Sequence, residues 1–453
     1  MPALVVGGGI SGLVCAHALR QAGVDAMLVE ASSRAGGAVR SERRDGHLLE
    51  LGPQSFSGTA QMLQLFAELG IADQIVQAPA RAPRYVLMNE NLRRVPMSPP
   101  AFLGSGFVGL RTKFAMLRDV IGKSQPPERD ESIAEFVRRK FSTEILDRLV
   151  GPFVSGVYAG DPERLSLRSA FPTLYDAEKR EGSVIRGLLS RSDPKQPRQR
   201  PTLLSFRDGT ETFTNALVKR LVDRIRIGAE VVSVGTLGAG RGESFSVTIR
   251  IADELQTIVA DQLIVATPTD VAAKLIGEFE PTIAAPLGEI EYASLTVVSQ
   301  GYAKSDVGDT LNGFGFLAPR SAGIRTLGSV WNSSLFPNRA PAGNVLLTSF
   351  IGGATDPQAA TLSSAELAAA VHKEIAPILR IRQNPQFSNV TIYPRALPQY
   401  NVGHAARLAA IEQGRARHSN LWLVGNYLRG PSIGACVEQS VSVAQEIISR
   451  VTR

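Results

Sequence analysis

The stretch Gly7-Gly8-Gly9-Ile10-Ser11-Gly12 constrains this chain more than any other. Ala3-Leu4-Val5-Val6 runs into it as a short apolar segment and reads as a buried strand, and Leu13 to Gln21 reads as a helix. Gly7, Gly9 and Gly12 fit the G-x-G-x-x-G spacing of a dinucleotide-binding turn. The first glycine permits the tight turn, the second lets backbone approach a pyrophosphate, and the third lets helix and strand pack closely. The phosphates are expected at the helix N-terminus, where free N–H groups and the helix dipole favour an anion. A second strand, Asp25 to Val29, ends in Glu30, where a ribose-binding carboxylate belongs. An acid there, in place of a basic residue, argues against a bound 2′-phosphate.

Composition sets the outer limits. The 453 residues are enough for about three ordinary domains. A hydrophobic share of 44% with 20% charged residues fits a globular protein with large cores. The net charge of +7, from 49 Lys and Arg against 42 Asp and Glu, is spread along the chain. It suits an anionic ligand or an acidic membrane surface and does not indicate nucleic acid. Cys15 and Cys436 fall in apolar helical stretches and read as buried thiols, with no disulfide framework or zinc spacing. The scattered His17, His47, His372, His404 and His418 form no metal cluster and no triad, so no metal is expected. The chain starts directly with a strand, so no signal peptide is expected. No apolar run reaches the roughly 18 residues of a membrane span. The expected location is the cytoplasm, with peripheral contact to the cytoplasmic membrane as an open alternative.

Beyond Glu30 the segment Glu30-Ala-Ser-Ser-Arg34-Ala-Gly36-Gly37-Ala-Val-Arg40-Ser41 resembles the extended ExxxRxGGxxxS/T signature of the flavin-containing amine oxidase superfamily. The resemblance implies FAD. Gly36 and Gly37 would let the chain cross close to the cofactor, and Arg34 and Arg40 would serve the diphosphate region. Gly8, Ile10, Ser11, Ala31 and Ala38 complete the contacts expected there. His47 to Phe56 looks like the superfamily's loop beside the flavin ring, with Gly52, Pro53, Gln54 and Ser55 expected along its edge. Val231 and Ala266 are further expected contacts, Ala266 in an Ala-Thr-Pro turn that follows a returning buried strand. Near the end, Leu421 to Val424 reads as a strand, with Asn426 in the turn after it. A helix then starts near Ile433-Gly434-Ala435, and its amides can face the flavin N1–C2=O edge.

Between these motifs the pattern is mixed. A helix over 59–69 is expected to stop at Gly70, and a hairpin over 82–96 to turn at Asn89-Glu90-Asn91. Ala101 to Leu110 is apolar and glycine-bearing and is followed by Arg111, Lys113 and Arg118. It reads either as a shallow bilayer insertion or as a cap over a cavity. Glu131 to Lys140 and Thr143 to Val150 have helical amphipathic spacing. Arg191 to Pro201 reads as a basic, proline-rich surface loop. Residues 292–351 alternate strands and turns, which suggests an antiparallel sheet with one face lining a pocket. Ser363 and Glu366 fit a capping box opening a helix to about Leu379, which would cover the other face.

Four collinear segments resemble the oxygen-dependent protoporphyrinogen oxidase family: Gly156–Ser166, Ser333–Pro341, Ala396–His404 and Gly425–Glu438. The resemblance implies FAD, O2 and a porphyrinogen that loses six hydrogens in three flavin cycles, giving H2O2. It implies that Arg84 pairs with a substrate propionate, that Leu317, Val330 and Phe350 sandwich the ring system, and that Ala159 and Gly160 form the pocket wall. The helical region would mediate membrane association, and a homodimer is left open. Hydride transfer from a meso carbon to flavin N5 needs no protein nucleophile, so no catalytic side chain is assigned. Two positions depart from the pattern. Gln54 stands where some relatives carry arginine, and Val330 is smaller than the leucine often found there.

The expected architecture is α/β (α+β). A Rossmann-like FAD-binding domain comprises 1–75, 206–280 and 390–453. An antiparallel-sheet substrate domain comprises 76–96 and 281–389, and a helical, membrane-associating domain comprises 97–205. Alternatives are oxidation of coproporphyrinogen III, which carries four propionates, another amine or carotenoid oxidation within the superfamily, and a flavin-binding scaffold without turnover.

Overall fold

The computed structural model describes residues 2–190, 202–238 and 242–451. The expected loop Arg191–Pro201 lies outside the described residues.

Ala3–Val6 is buried at all four positions and takes the centre of a five-stranded sheet. Its order is Ile225–Ile227, Ala26–Glu30, Ala3–Val6, Gln262–Val265 and Leu421–Leu423, with every pair parallel. Parallel strands buried on both faces read as continuous apolar runs, as these do. Helices Ile10–Gln21 and Ile433–Val451 follow strands Ala3–Val6 and Leu421–Leu423. Both helices therefore start at the carboxyl edge of one sheet, and their apolar faces share a core through Leu13, Cys15, Val437 and Ile447. Sites in open parallel sheets form at this edge.

A second sheet has seven strands. From one edge to the other they are Phe387–Pro398, Tyr292–Ala303, Asn344–Gly352, Thr326–Val330, Gly315–Leu317, Arg84–Met88 and Asn91–Arg94. Six of these strands come from 82–96 and 292–351, and the seventh, Phe387–Pro398, adds an edge. The pairing is antiparallel except where Gly315–Leu317 runs parallel to Arg84–Met88. That strand arrives from more than two hundred residues upstream, so no short hairpin dictates its direction. One face, with Leu87, Val298, Phe316, Leu347 and Ile351, is packed by Leu367, Val371, Ile375 and Leu379 of helix Ser364–Leu379. The expected capping box opens this helix. The Ser363 hydroxyl accepts from Glu366 N, and the Glu366 carboxylate accepts from Ser363 N at 2.8 Å.

The helical region between the two halves of the nucleotide sheet has its own core, including Phe102, Phe107, Val108, Phe136, Val137 and Val154. The expected helix over 143–150 is a turn, Thr143–Ile145, that widens through Leu146–Val150 and continues as Gly151–Tyr158. Pro152 has no N–H to give the preceding turn, so the wider spacing there forfeits little. Within Ala101–Leu110, which reads either as a bilayer insertion or as a cap, Phe102, Phe107 and Val108 turn inward. The exposed apolar side chains lie one step further on. Leu110, Phe114, Leu117 and Ile121 share one face of helix Leu110–Ile121 at helical spacing, and Phe114 and Ile121 are 68% and 74% exposed. Among the described residues no helix is long and apolar enough to cross a membrane.

Replacing Ser363 by Ala removes the cap from the helix that backs the seven-stranded sheet. Chemical denaturation is expected to show a loss of about 1 kcal/mol with an unchanged m-value; an unaltered midpoint would mean the cap contributes nothing.

Candidate functional site

The glycine turn is built as its spacing requires. Gly7 has φ +108°, and a Cβ on Gly12 would overlap Gly7 O, so only glycine lets the helix start this close to the strand. A Cβ on Gly9 would meet nothing within 4 Å. Helix Ile10–Gln21 has Gly9 as N-cap, no capping side chain and no acid in its first turn. Open space in front of uncapped N–H groups is what a diphosphate needs, so the residues present fit the nucleotide half of FAD. Glu30 closes the next strand. Its Oε2 accepts from Gly8 N at 2.6 Å, and its Oε1 from Ser32 N at 2.8 Å and from the Ser32 hydroxyl. The carboxylate is thus fixed beside the turn, with Ala31 exposed next to it. Ala229 N donates to Glu30 O at 2.9 Å, which brings Val231 to the same end of the sheet.

The paired glycines behave differently from the arginines around them. Gly36 and Gly37 both have positive φ, and a Cβ on Gly37 would stand 3.1 Å from the Gly9 Cα, so this loop crosses directly over the glycine turn. Gly37 and Ala38 are exposed on its open side. Arg34 does not reach across. Its guanidinium donates to Gly37 O at 2.9 Å and Val39 O at 3.1 Å and pairs with Glu211 at 2.7 Å. It shapes the diphosphate loop from within. Arg40 is half-exposed, 3.5 Å from Glu42.

The flavin-ring loop follows the same logic. A Cβ on Gly52 would overlap Ala38 O, which locks Gly52-Pro53-Gln54-Ser55 against the diphosphate loop. The Gln54 side chain is engaged by the loop itself. Its Nε2 donates to Glu50 O and Gly52 O, both at 2.9 Å, and its Oε1 accepts from Asn332 Nδ2 at 2.7 Å. These bonds leave the backbone of Gly52-Pro53-Gln54-Ser55 as the part of the loop that can face the expected flavin edge. Ala266 and Asn426 follow the two neighbouring parallel strands at the same edge, where Ala266 N donates to Val6 O at 2.8 Å. The nearby start of Ile433–Val451 brings Ile433, Gly434 and Ala435 to this edge, and the Ser432 hydroxyl accepts from Ala435 N.

Across from these loops lies the open face of the seven-stranded sheet. Gly315 pairs with Arg84 and with Val330; Gly328 pairs with Leu317 and with Phe350. Residues paired across a sheet, and residues two apart on one strand, share a face. Arg84, Leu317, Val330 and Phe350 therefore project from one surface. A bulge between Thr326 and Gly328 makes this possible, because it shifts the alternation so that Gly328 and Val330 join the face of Phe350. Leu317, Val330 and Phe350 are only half-buried, whereas Phe316, Ser329, Ser349 and Ile351 behind them are buried.

Helix Gly151–Tyr158 closes this face. A Cβ on Gly156 would stand 2.5 Å from Leu317 Cδ2, so only glycine leaves room for that leucine. The helix ends at Ala159 in the left-handed region, φ 47°, with Ala159 O accepting from Ala354 N at 2.7 Å. Ala159 shares an apolar cluster with Leu295, Phe350 and Leu397, and Gly160 is buried behind it. Arg84 is exposed at the rim, its guanidinium 5.5 Å from the centre of the Phe314 ring. Phe314 was not singled out in the sequence; its place between Gly313 and Gly315 was the only signal. Among the described residues no group of His, Cys, Asp and Glu is arranged to hold a metal ion.

A nucleotide cradle and an apolar face fit a flavin enzyme, and comparison with known proteins shows the family. The chain belongs to the flavin containing amine oxidoreductase family, whose model matches residues 10–448, and is an FAD-dependent oxidoreductase. It is similar to protoporphyrinogen oxidase 1, chloroplastic, of Arabidopsis thaliana, with 34% identity over 99% of this chain and 88% of that protein. It is also similar to coproporphyrinogen III oxidase of Bacillus subtilis, with 28% identity over 98% of this chain and 97% of that protein. A crystal structure from Exiguobacterium sp. 255-15 shares the fold at TM-score 0.81, with 21% identity and 99% of each chain covered.

Glu30→Ala removes both the proposed ribose acceptor and the anchor of Gly8. Equilibrium dialysis of the apoprotein is expected to show FAD binding weakened by about ten-fold or more. Full flavin occupancy after extended dialysis would take Glu30 out of the site.

Proposed function

We propose that the protein oxidises protoporphyrinogen IX to protoporphyrin IX with three O2, releasing three H2O2, in porphyrin and haem biosynthesis. The observation that carries this reading is the common face of Arg84, Leu317, Val330 and Phe350. A porphyrinogen is a broad apolar macrocycle with carboxylates along one side. An apolar slot with a guanidinium at its rim matches that distribution. Bound FAD supplies the hydride acceptor, at N5. The chain's own residues bind and orient: Leu317 and Phe350 contact the ring, Ala159 and Gly160 limit its travel, and Arg84 fixes the carboxylate edge. Apolar walls also exclude water from the reacting carbon. Six hydrogens leave the macrocycle as three two-electron oxidations, each returned to O2 as peroxide. No protein base is assigned. Similarity to the Bacillus subtilis relative favours a second reading, oxidation of coproporphyrinogen III.

Both readings are tested together by mixing the purified flavoprotein anaerobically with each porphyrinogen, then admitting air. Bleaching near the flavin band followed by fluorescent porphyrin is expected with protoporphyrinogen. Product only from coproporphyrinogen would select the second reading, and no product from either would sink both. Arg84→Ala is expected to raise KM for the porphyrinogen about ten-fold with kcat within about three-fold, because a carboxylate anchor provides mostly uniform binding. An unchanged KM would remove Arg84 from the site.

The protein on this reading works in the cytoplasm against the membrane surface. Support comes from the apolar stripe Leu110, Phe114, Leu117 and Ile121, with the exposed Arg111 and Arg118 on the same helix. Each large apolar side chain buried in lipid contributes about 1.5–3 kcal/mol, and each base near anionic headgroups about 1 kcal/mol. A Phe114→Glu, Leu117→Glu variant is expected to lose at least ten-fold in co-sedimentation with phosphatidylglycerol-containing vesicles, while activity in detergent persists. Equal sedimentation of both proteins would end the membrane assignment.

A further inference from the structure

The segment Leu397–His404 bonds both to the wall of the ring slot and to the turn assigned to the flavin. It leaves the edge strand at Pro398 and crosses to the nucleotide sheet before helix His404–Arg415. Gln399 and Tyr400 are 4% and 2% exposed. Gln399 Nε2 donates to Tyr158 O at 2.9 Å and to Leu397 O at 3.1 Å. A Cβ on Gly160 would stand 2.9 Å from Gln399 Oε1, so the amide abuts the slot wall from behind. The wall is therefore clamped on two sides, by Gln399 at Tyr158 O and by Ala354 N at Ala159 O. That clamp holds a non-glycine residue, Ala159, in the left-handed region.

Tyr400 leaves the strap the other way. Its hydroxyl donates to Asn426 O, in the turn assigned to the flavin. Its ring packs against Tyr158 at 5.7 Å and His404 at 4.6 Å. The strap itself is pinned. Tyr400 O accepts from Ser166 N at 2.8 Å, Gln399 N donates to Glu291 O at 2.8 Å, and Gly403 N donates to the Asp130 carboxylate at 2.9 Å. His404 Nε2 lies 2.9 Å from Tyr427 O. A carbonyl only accepts, so Nε2 carries the proton, and burial pushes the imidazole down to about 4, which keeps it neutral.

We propose that Gln399 and Tyr400 are paired positioning residues. One grips the ring-slot wall and the other the flavin turn, so this short strap fixes the spacing between substrate and cofactor. The inference rests on the porphyrinogen-oxidase reading and adds two residues to it. Neither side chain touches the reacting atoms; each acts through a backbone carbonyl.

The test uses Gln399→Leu, Tyr400→Phe and the double variant in the full-length holoenzyme, with Gln399→Met standing in if the leucine variant fails to fold. Steady-state constants, FAD affinity, the visible flavin spectrum and anaerobic flavin reduction by protoporphyrinogen are measured. Gln399→Leu is expected to raise KM by about ten-fold with FAD affinity and spectrum unchanged, and Tyr400→Phe to weaken FAD binding by about five-fold and shift the spectrum with KM unchanged. The double variant is expected to slow flavin reduction by more than the product of the single effects. A fall in thermal stability with KM, FAD affinity and spectrum unmoved would overturn the proposal, as would the same proportional loss in every quantity for both single variants. Should neither porphyrinogen reduce the wild-type flavin, the functional reading fails and the slot arm fails with it. The flavin arm then stands or falls on the FAD affinity of Tyr400→Phe.

Discussion

The Glu50 carboxylate and the Arg339 guanidinium, both side chains without solvent exposure, lie 3.4 Å apart where the flavin loop meets the substrate-facing sheet. Burial pushes the Glu50 carboxyl up, and Arg339 and the hydroxyls of Ser41 and Thr210 oppose that. Burial pushes the guanidinium down, and Glu50 opposes that in turn. Neither charge is tolerable without the other. Removing one partner of such a pair costs about 3–5 kcal/mol, although the intact pair contributes little net stability. Its value here is geometric. Ser41 Oγ bonds Glu50, Ser41 N bonds Glu211, and Glu211 holds Arg34 inside the diphosphate loop. Arg339 bonds Ser205 and stacks its guanidinium over Phe336, which joins the cluster behind Val330. One polar chain therefore runs from the diphosphate loop to the ring slot.

Two polar positions read from the sequence as lying beside the cofactor, Arg34 and Gln54, also serve the protein's own hydrogen bonding. Arg34 and Gln54 lie in the loops that their motifs mark as cofactor-facing, and those loops abut each other at Gly52 and Ala38. Their side chains nevertheless satisfy backbone carbonyls and buried partners that come from residues 211 and 332. A loop that must pass close to a flat cofactor cannot form a regular ladder, and its carbonyls need donors from somewhere. Local motifs were legible for the same physical reason that long-range partners were not. The glycine turn, the Gly70 stop and the Ser363 box are set by neighbours within a few residues. The contact between Gln399 and Tyr158 joins residues 241 apart, and nothing in either segment alone announces it. The apolar stripe is a third case. Leu110, Phe114, Leu117 and Ile121 carry helical periodicity in plain view, but periodicity states that a face is apolar and leaves open what covers it.

The ring slot is defined by small residues as much as by large ones. Leu317 can lie flat only because Gly156 and Gly328 have no side chains to obstruct it. Val330 joins Phe350 on the open face only because its own strand bulges at Leu327. A slot of this kind offers breadth and few polar contacts, which suits removal of hydride from a carbon with no group to polarise. The buried polar side chains of Gln54 and Asn332 are hydrogen-bonded to each other.

Helix Gly151–Tyr158 then joins two properties that would otherwise be separate. Phe153 and Val157 are exposed on its outer side, while Val154 and Tyr158 are buried in the helical core. Gly156 is exposed and abuts Leu317 at the slot. An apolar exterior therefore adjoins the slot along a single helix. On the proposed reading this arrangement has a transport consequence. A porphyrinogen held at a lipid surface would pass from bilayer to slot along apolar side chains, without its macrocycle being solvated between them. The carboxylates would trail toward water, and Arg84, exposed at the rim, stands where such a trailing edge can be captured.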